Sequence, residues 1–107
     1  MRGDVYELRA PRDAQGHEQM GRRYAVIVQS DDLLLSTCLV APTSTAARPA
    51  SFRPEITVNG VATRILVEQT AVVDPSKRLG AFAGRLDSEE LRHVDRALIA
   101  VLGLDSP

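Results

Sequence analysis

The stretch Gly16-His17-Glu18-Gln19-Met20-Gly21-Arg22-Arg23 places an imidazole, a carboxylate, an amide and two guanidiniums side by side, and it runs straight into the apolar segment Tyr24-Ala25-Val26-Ile27-Val28. A polar loop ending on a rigid strand is a common way to present side chains to a ligand. Arg23 can hold two oxygens of a phosphate in a planar fork, which lysine does less well. Guanidinium groups keep their proton at neutral pH, so the chemistry expected of Arg23 is charge stabilisation rather than acid catalysis. Histidine titrates near neutrality, which gives His17 the capacity to donate to a phosphate or a leaving oxygen. Glu18 and Gln19 add an acceptor and an amide for substrate contact. Further on, Thr43 and Ser44 offer hydroxyls for phosphate oxygens, while the simpler role for them is a turn after Pro42 with hydroxyls bonding their own backbone. Glu68-Gln69 supplies a carboxylate that is ionised at neutral pH and able to accept a proton or bind a base edge.

Composition bounds what these groups can serve. A chain of 107 residues with 44% apolar and 25% charged residues is expected to form one globular domain, residues 1–107, with a single modest core. It contains no Trp and few aromatics, so the core must be built from Val, Leu, Ile and Ala. The formal net charge of −1 excludes binding of long nucleic acid by bulk charge and requires a local basic patch. Arg22, Arg23, Arg48, Arg53 and Arg64 in the middle of the sequence are candidates for it, against Asp87, Glu89 and Glu90 near the C-terminus. The apolar runs are short and charge-bounded, and Met1-Arg2-Gly3-Asp4 lacks a signal-peptide core, so the expected location is cytoplasmic, with no membrane span. The single Cys38 lies in an apolar run and reads as a small buried hydrophobe. One Cys and two distant His residues do not make a zinc framework, and no phosphate-cradling glycine loop is present, so no metal and no cofactor are expected.

The elements that must position these residues follow from periodicity. Asp4–Leu8 reads as a strand, and Arg23–Gln29, with β-branched residues on both faces, reads as a central one. The next strand runs from Leu34 or Leu35 to Ala41 and is expected to stop at Pro42, which cannot donate to a ladder. Asn59-Gly60 predicts a type I′ hairpin joining strands Phe52–Val58 and Val61–Gln69. Alternation along that second strand would put Arg64, Leu66 and Glu68 on one face, where Arg64 either reaches the substrate or pairs with Glu68. Val72–Val73 extends the pattern, and Lys77–Leu86 reads as a last strand bent at its glycines. Asp87, with Glu90 three residues on, caps a helix carrying the stripe Leu91, Val94, Leu98, Val101 and Leu102 and ending at Gly103. The pattern predicts a mainly β protein with one C-terminal helix. It does not choose among an SH3-like barrel, an OB-type barrel and an α+β sandwich.

Five blocks in order resemble the MazF/PemK (Kid-type) toxin ribonucleases of type II toxin-antitoxin systems. They are Arg2-Gly3-Asp4-Val5-Tyr6; the G-x-E-Q-x-G-x-R segment Gly16–Arg23 with its continuation Val26–Asp31; Leu39-Val40-Ala41-Pro42-Thr43-Ser44; Glu68-Gln69; and Leu79-Gly80 to Leu86. The resemblance implies the small SH3-like β-barrel and a metal-independent endoribonuclease. Such an enzyme cleaves single-stranded RNA, mRNA in the first place, through attack of the 2′-hydroxyl on phosphorus. It also implies a homodimer and a cognate MazE-like antitoxin. Carried over position by position, it makes Arg23, Thr43 and Glu68 catalytic, with Glu68 the candidate base, and places His17, Glu18, Gln19, Ser44, Arg64 and Gln69 at the substrate. Arg23 would then face Thr43 and Glu68 in one pocket with His17 at its rim.

The chain departs from the family pattern at three points: Tyr24 replaces proline, Leu66 replaces the arginine of the PemK branch, and Ala71 replaces an arginine common among relatives. These keep open a catalytically weakened homologue that acts through its antitoxin. A gyrase poison of the related CcdB type uses a C-terminal W-G-I, which is absent from this chain.

Overall fold

In a computed structural model, residues 1–11 and 23–105 are described. His17, Glu18 and Gln19 therefore lie outside the described residues. Seven strands form one sheet: β1 (Asp4–Leu8), β2 (Tyr24–Ile27), β3 (Cys38–Ser44), β4 (Glu55–Val58), β5 (Val61–Ile65), β6 (Ala71–Val73) and β7 (Leu79–Arg85). Its order is β4-β5-β3-β2-β1-β7, with β6 also paired to β3 and every pairing antiparallel. A helical turn α1 (Pro75–Arg78) precedes β7, and helix α2 (Ser88–Leu102) follows it.

Strand β3 organises the sheet. One edge pairs with β2 throughout; the other pairs with β6 at Cys38–Val40 and with β5 at Thr43–Ser44. The sequence pattern ends this strand at Pro42, whereas the structure carries it through Pro42 to Ser44. Val28 N–H donates to the Leu39 carbonyl, and antiparallel alternation from that point puts the Ala25–Pro42 pair at a site without ladder bonds. On its other side Pro42 falls where β3 changes partner, so its missing N–H interrupts no ladder there. The Pro42 carbonyl still accepts from Leu66 N–H at 2.8 Å.

Asn59 and Gly60 take positive φ values of 51° and 80° and close the β4–β5 hairpin as expected. Strand β5 is shorter than its pattern suggests. It stops at Ile65, and Val67–Gln69 forms a 3₁₀ turn with Val67 buried. Helix α2 packs on that turn. The segment Pro75–Arg78, read in part as strand, is instead a helical turn, because Asp74 caps it through Ser76 N–H at 3.0 Å and Pro75 opens it.

The core joins Val5, Val26, Ile56, Val58, Ile65, Val67 and Leu86 from the sheet side to Val94 and Ala97 of α2. The helix carries both halves of its capping box, Asp87 accepting from Glu90 N–H and Glu90 accepting from Asp87 N–H, and ends at Gly103 with φ 70°. Its inward face is Leu91, Val94, Ala97 and Leu98; Val101 and Leu102, expected in the apolar stripe, are exposed.

The opening Arg2-Gly3-Asp4 is a structural staple. Arg2 donates to the Val28 carbonyl at 2.9 Å and to Asp95 of α2 at 2.6 Å. Gly3 has φ 91° and lies under Leu91, which would stand 3.1 Å from any added Cβ. Asp4 is buried and takes a 2.6 Å hydrogen bond from Arg85.

Candidate active site

Arg23 stands at the entrance to β2, where its Nε and Nη2 both donate to the Thr43 carbonyl, at 3.3 and 3.2 Å. This fork onto a backbone atom of β3 fixes the direction of the guanidinium. Its Nη1 group makes no hydrogen bond among the described residues. Thr43 itself is 2% exposed. Its hydroxyl accepts from Tyr24 N–H at 3.3 Å and donates to the Tyr24 carbonyl at 3.2 Å. At Tyr24, where the resemblance implies proline, this chain has an N–H that proline would lack, and Thr43 engages it. Tyr24 is held in turn by Asn59, whose amide donates to the phenol oxygen at 3.0 Å.

Ser44 ends β3 and accepts from Ala46 N–H at 3.3 Å, the turn-forming role weighed for it from sequence. Gln69 ends the 3₁₀ turn and, with Arg23 and Pro42, lines a cleft of about 270 Å³. The other walls of this cleft are Leu8, Arg9, Ala10, Pro11 and Arg78. Three arginines thus line it. Among the described residues, none of the three forms an ion pair with a carboxylate, although Arg2, Arg53, Arg64 and Arg85 each do.

Glu68 is not among the residues lining this cleft. Its Oε2 accepts from Nε and Nη2 of Arg53, at 2.9 and 2.7 Å, and its Oε1 is buried without a hydrogen-bond partner. The Arg53 hydrogen bonds, outweighing the effect of burial, hold this carboxyl below its ordinary range. Two sequence expectations need correction here. Glu68 sits on the 3₁₀ turn rather than on β5, so strand alternation does not relate it to Arg64. Arg64 instead pairs with Glu55 opposite it across the hairpin, at 3.1 Å, and donates to the Arg53 carbonyl at 3.0 Å. Leu66, in the place of the PemK-branch arginine, is buried, and Ala71 lies exposed on β6.

The basic patch is also drawn from other residues than its expected members. Arg23 belongs to it; Arg53 and Arg64 are neutralised by Glu68 and Glu55. Arg9 and Arg78 take their places, and neither stands out in the sequence, because only the β1–β7 pairing brings them together. Among the described residues no group of His, Cys, Asp and Glu side chains could hold a metal ion. Cys38 is half-buried, and burial pushes its thiol up.

The model of PemK-like, MazF-like toxins of type II toxin-antitoxin systems matches residues 1–102. The chain belongs to this toxin family. A chain of Mycobacterium tuberculosis named as a candidate toxin is 40% identical to this toxin over 104 residues, covering 97% of this chain and 98% of that one. Solved structures agree in fold. An endoribonuclease from a mycobacterial species, in complex with its cognate antitoxin, matches with a TM-score of 0.78 at 16% identity, covering 100% of this chain and 98% of that one. MazF from Deinococcus radiodurans matches with a TM-score of 0.75 at 22% identity, covering 95% and 94%. The small toxin barrel with its C-terminal helix is therefore the fold of this chain, as the resemblance implies.

Proposed function

We propose that this toxin is a metal-independent endoribonuclease that cleaves single-stranded RNA, with mRNA as its physiological class. The 2′-hydroxyl gives up its proton to solvent as its oxygen attacks the adjacent phosphorus, the bond to the 5′-oxygen breaks, and the leaving oxygen takes up a proton from solvent, with no net change in protons. The products are a 2′,3′-cyclic phosphate and a free 5′-hydroxyl. The observation that carries this reading is Arg23: aimed by its two bonds to the Thr43 carbonyl, it faces an open cleft without a carboxylate partner among the described residues. A fixed cation of this kind stabilises the dianionic phosphorane without reorganising during the reaction. Thr43 acts first by orienting Arg23, and its buried hydroxyl ties β3 to β2. Gln69 at the cleft offers an amide for base edges, which unstacked RNA exposes. His17, Glu18 and Gln19 belong to the segment entering Arg23 and are assigned to substrate contact, with Ser44 at the end of β3; Arg64, paired with Glu55, is not.

Glu68 is assigned to holding Arg53 rather than to base catalysis. A carboxylate clamped by arginine and held below its ordinary range is a weak base. A cognate MazE-like antitoxin with an acidic segment would silence the toxin by covering the same guanidiniums, and the active form is a homodimer.

Incubating the purified toxin with a long RNA in EDTA tests the reading directly. Cuts at a short recurring sequence with 5′-hydroxyl ends are expected, and Arg23→Ala should slow them by about 10²–10³-fold while the protein stays folded. A folded, antitoxin-free protein that leaves varied RNAs intact overturns it. For Glu68→Gln, a lower melting temperature with RNA binding and cleavage nearly unchanged is expected; a loss confined to the cleavage rate would restore Glu68 as the base.

A further inference from the structure

We infer that the Arg9–Arg78 wall of the cleft is a second phosphate subsite, which holds a phosphodiester neighbouring the scissile one. The inference rests on the proposed function in one respect, that Arg23 takes the scissile phosphate. Arg9 and Arg78 clasp each other through reciprocal backbone bonds: Arg9 N–H donates to the Arg78 carbonyl, and Arg78 Nε donates to the Arg9 carbonyl, both at 2.7 Å. The clasp orients Arg78, and its two terminal amino groups make no hydrogen bond among the described residues. The Arg9 side chain makes no hydrogen bond or ion pair among the described residues. Helical turn α1, capped by Asp74, carries Arg78 at its last position and so sets the wall.

The charge pattern argues for an anion. Like charges sharing one cleft repel. Arg2, Arg53, Arg64 and Arg85 are each matched to a carboxylate; of the described arginines without one, Arg48, Arg92 and Arg96 lie apart from the cleft, whereas Arg9, Arg23 and Arg78 share it. An arrangement kept open in this way is stabilised when an anion enters. A single nucleic-acid strand suits it better than an isolated ion, because the two cationic walls belong to one continuous cleft with Arg23. Phosphate contacts of this sort fix register and carry no sequence information.

The test is binding of a mixed-sequence, fully 2′-O-methylated single-stranded oligonucleotide, which lacks the attacking hydroxyl, measured by fluorescence anisotropy from about 50 to 200 mM salt. Each arginine that contacts a phosphate contributes about 0.7 to the slope of log affinity against log salt. Arg9→Gln should lower the slope by about that amount. With cleavable RNA it should raise KM severalfold and leave kcat unchanged, where Arg23→Ala lowers kcat. Arg78→Gln should match it and Arg78→Lys should restore the slope. Arg9→Gln is the decisive arm, because its side chain makes no hydrogen bond or ion pair among the described residues, and its melting temperature should equal that of the parent. An unchanged slope and KM in Arg9→Gln overturn the inference. So does equal displacement of the oligonucleotide by poly-glutamate of the same charge, which would give the wall to an acidic peptide. If the parent protein cuts no RNA but Arg9→Gln still lowers the slope, the subsite stands and the ribonuclease reading falls.

Discussion

At the residue scale, the decisive contrast is between arginines that have carboxylate partners and those that do not. Arg53 binds Glu68 through two hydrogen bonds and stacks over Phe52 with its guanidinium 5.5 Å from the ring centre, so it serves the fold. Both side chains of the pair are 25% exposed, between a surface and a buried ion pair. Arg53→Ala should therefore destabilise the protein by about 1–2 kcal/mol at neutral pH. The sign of its pH dependence follows from linkage. The Glu68 carboxyl is held low in the folded state, so its contribution is full above the ordinary carboxylate range and disappears as pH falls through the lowered value. The difference in denaturation midpoint between parent and Arg53→Ala should thus shrink on going from neutral pH into the acid range. A constant difference would mean that the pair is not what the variant removes. Asp4 behaves alike: burial pushes its carboxyl up, but Arg85 and the N-terminal amino group more than offset this, and the net direction is down.

At the scale of elements, two local signals decide how the helix meets the sheet. Gly3 combines positive φ with Leu91 packed against the place of its Cβ. Gly3→Ala should cost about 1–3 kcal/mol, from backbone strain and displacement of Leu91 together. Asp87→Ala removes the capping box of α2 and should cost about 1 kcal/mol. Thermal melts of the two variants check both figures, and their effects should add only in part, because Gly3 and α2 share Leu91. The same scale explains why Pro42 did not end β3. A proline is excluded from a ladder only where its N–H is needed, and β3 changes partner at that residue. Nothing in the local sequence reports that change. The 3₁₀ turn after Ile65 is similar: Leu66-Val67-Glu68 carries strand residues, and the turn forms because Val67 is buried where α2 packs.

For the whole molecule, net charge near zero and an exposed apolar helix end point the same way. With a net charge of −1, the proposed association with RNA would have to depend on a local site such as the arginine-lined cleft rather than on the general field. The last turns of α2 expose Ile99, Val101 and Leu102, the last at 62%, and Leu104 follows them. Contiguous apolar side chains on a rigid helix are a surface that a second copy can cover. Leu102→Glu should move the sedimentation coefficient from dimer to monomer and leave the melting curve of the protomer nearly unchanged. A dimer that persists in this variant places the contact elsewhere, with the exposed Leu33, Leu34 and Leu35 as the next surface to alter.

What the sequence determined by itself is local and ordered along the chain: the Asn59-Gly60 hairpin, the Asp87–Gly103 helix, the succession of short strands, and the motif blocks that mark the toxin family. These are legible because turn φ values, caps and periodicity depend on neighbouring residues alone. The partners of the charged groups were not legible. Glu68 pairs with Arg53 rather than Arg64, and Arg23 shares its cleft with Arg9 and Arg78, because strand pairing and the 3₁₀ turn set those distances across many residues of chain. An electrostatic partnership is decided by distance in space, and only the tertiary structure supplies that distance.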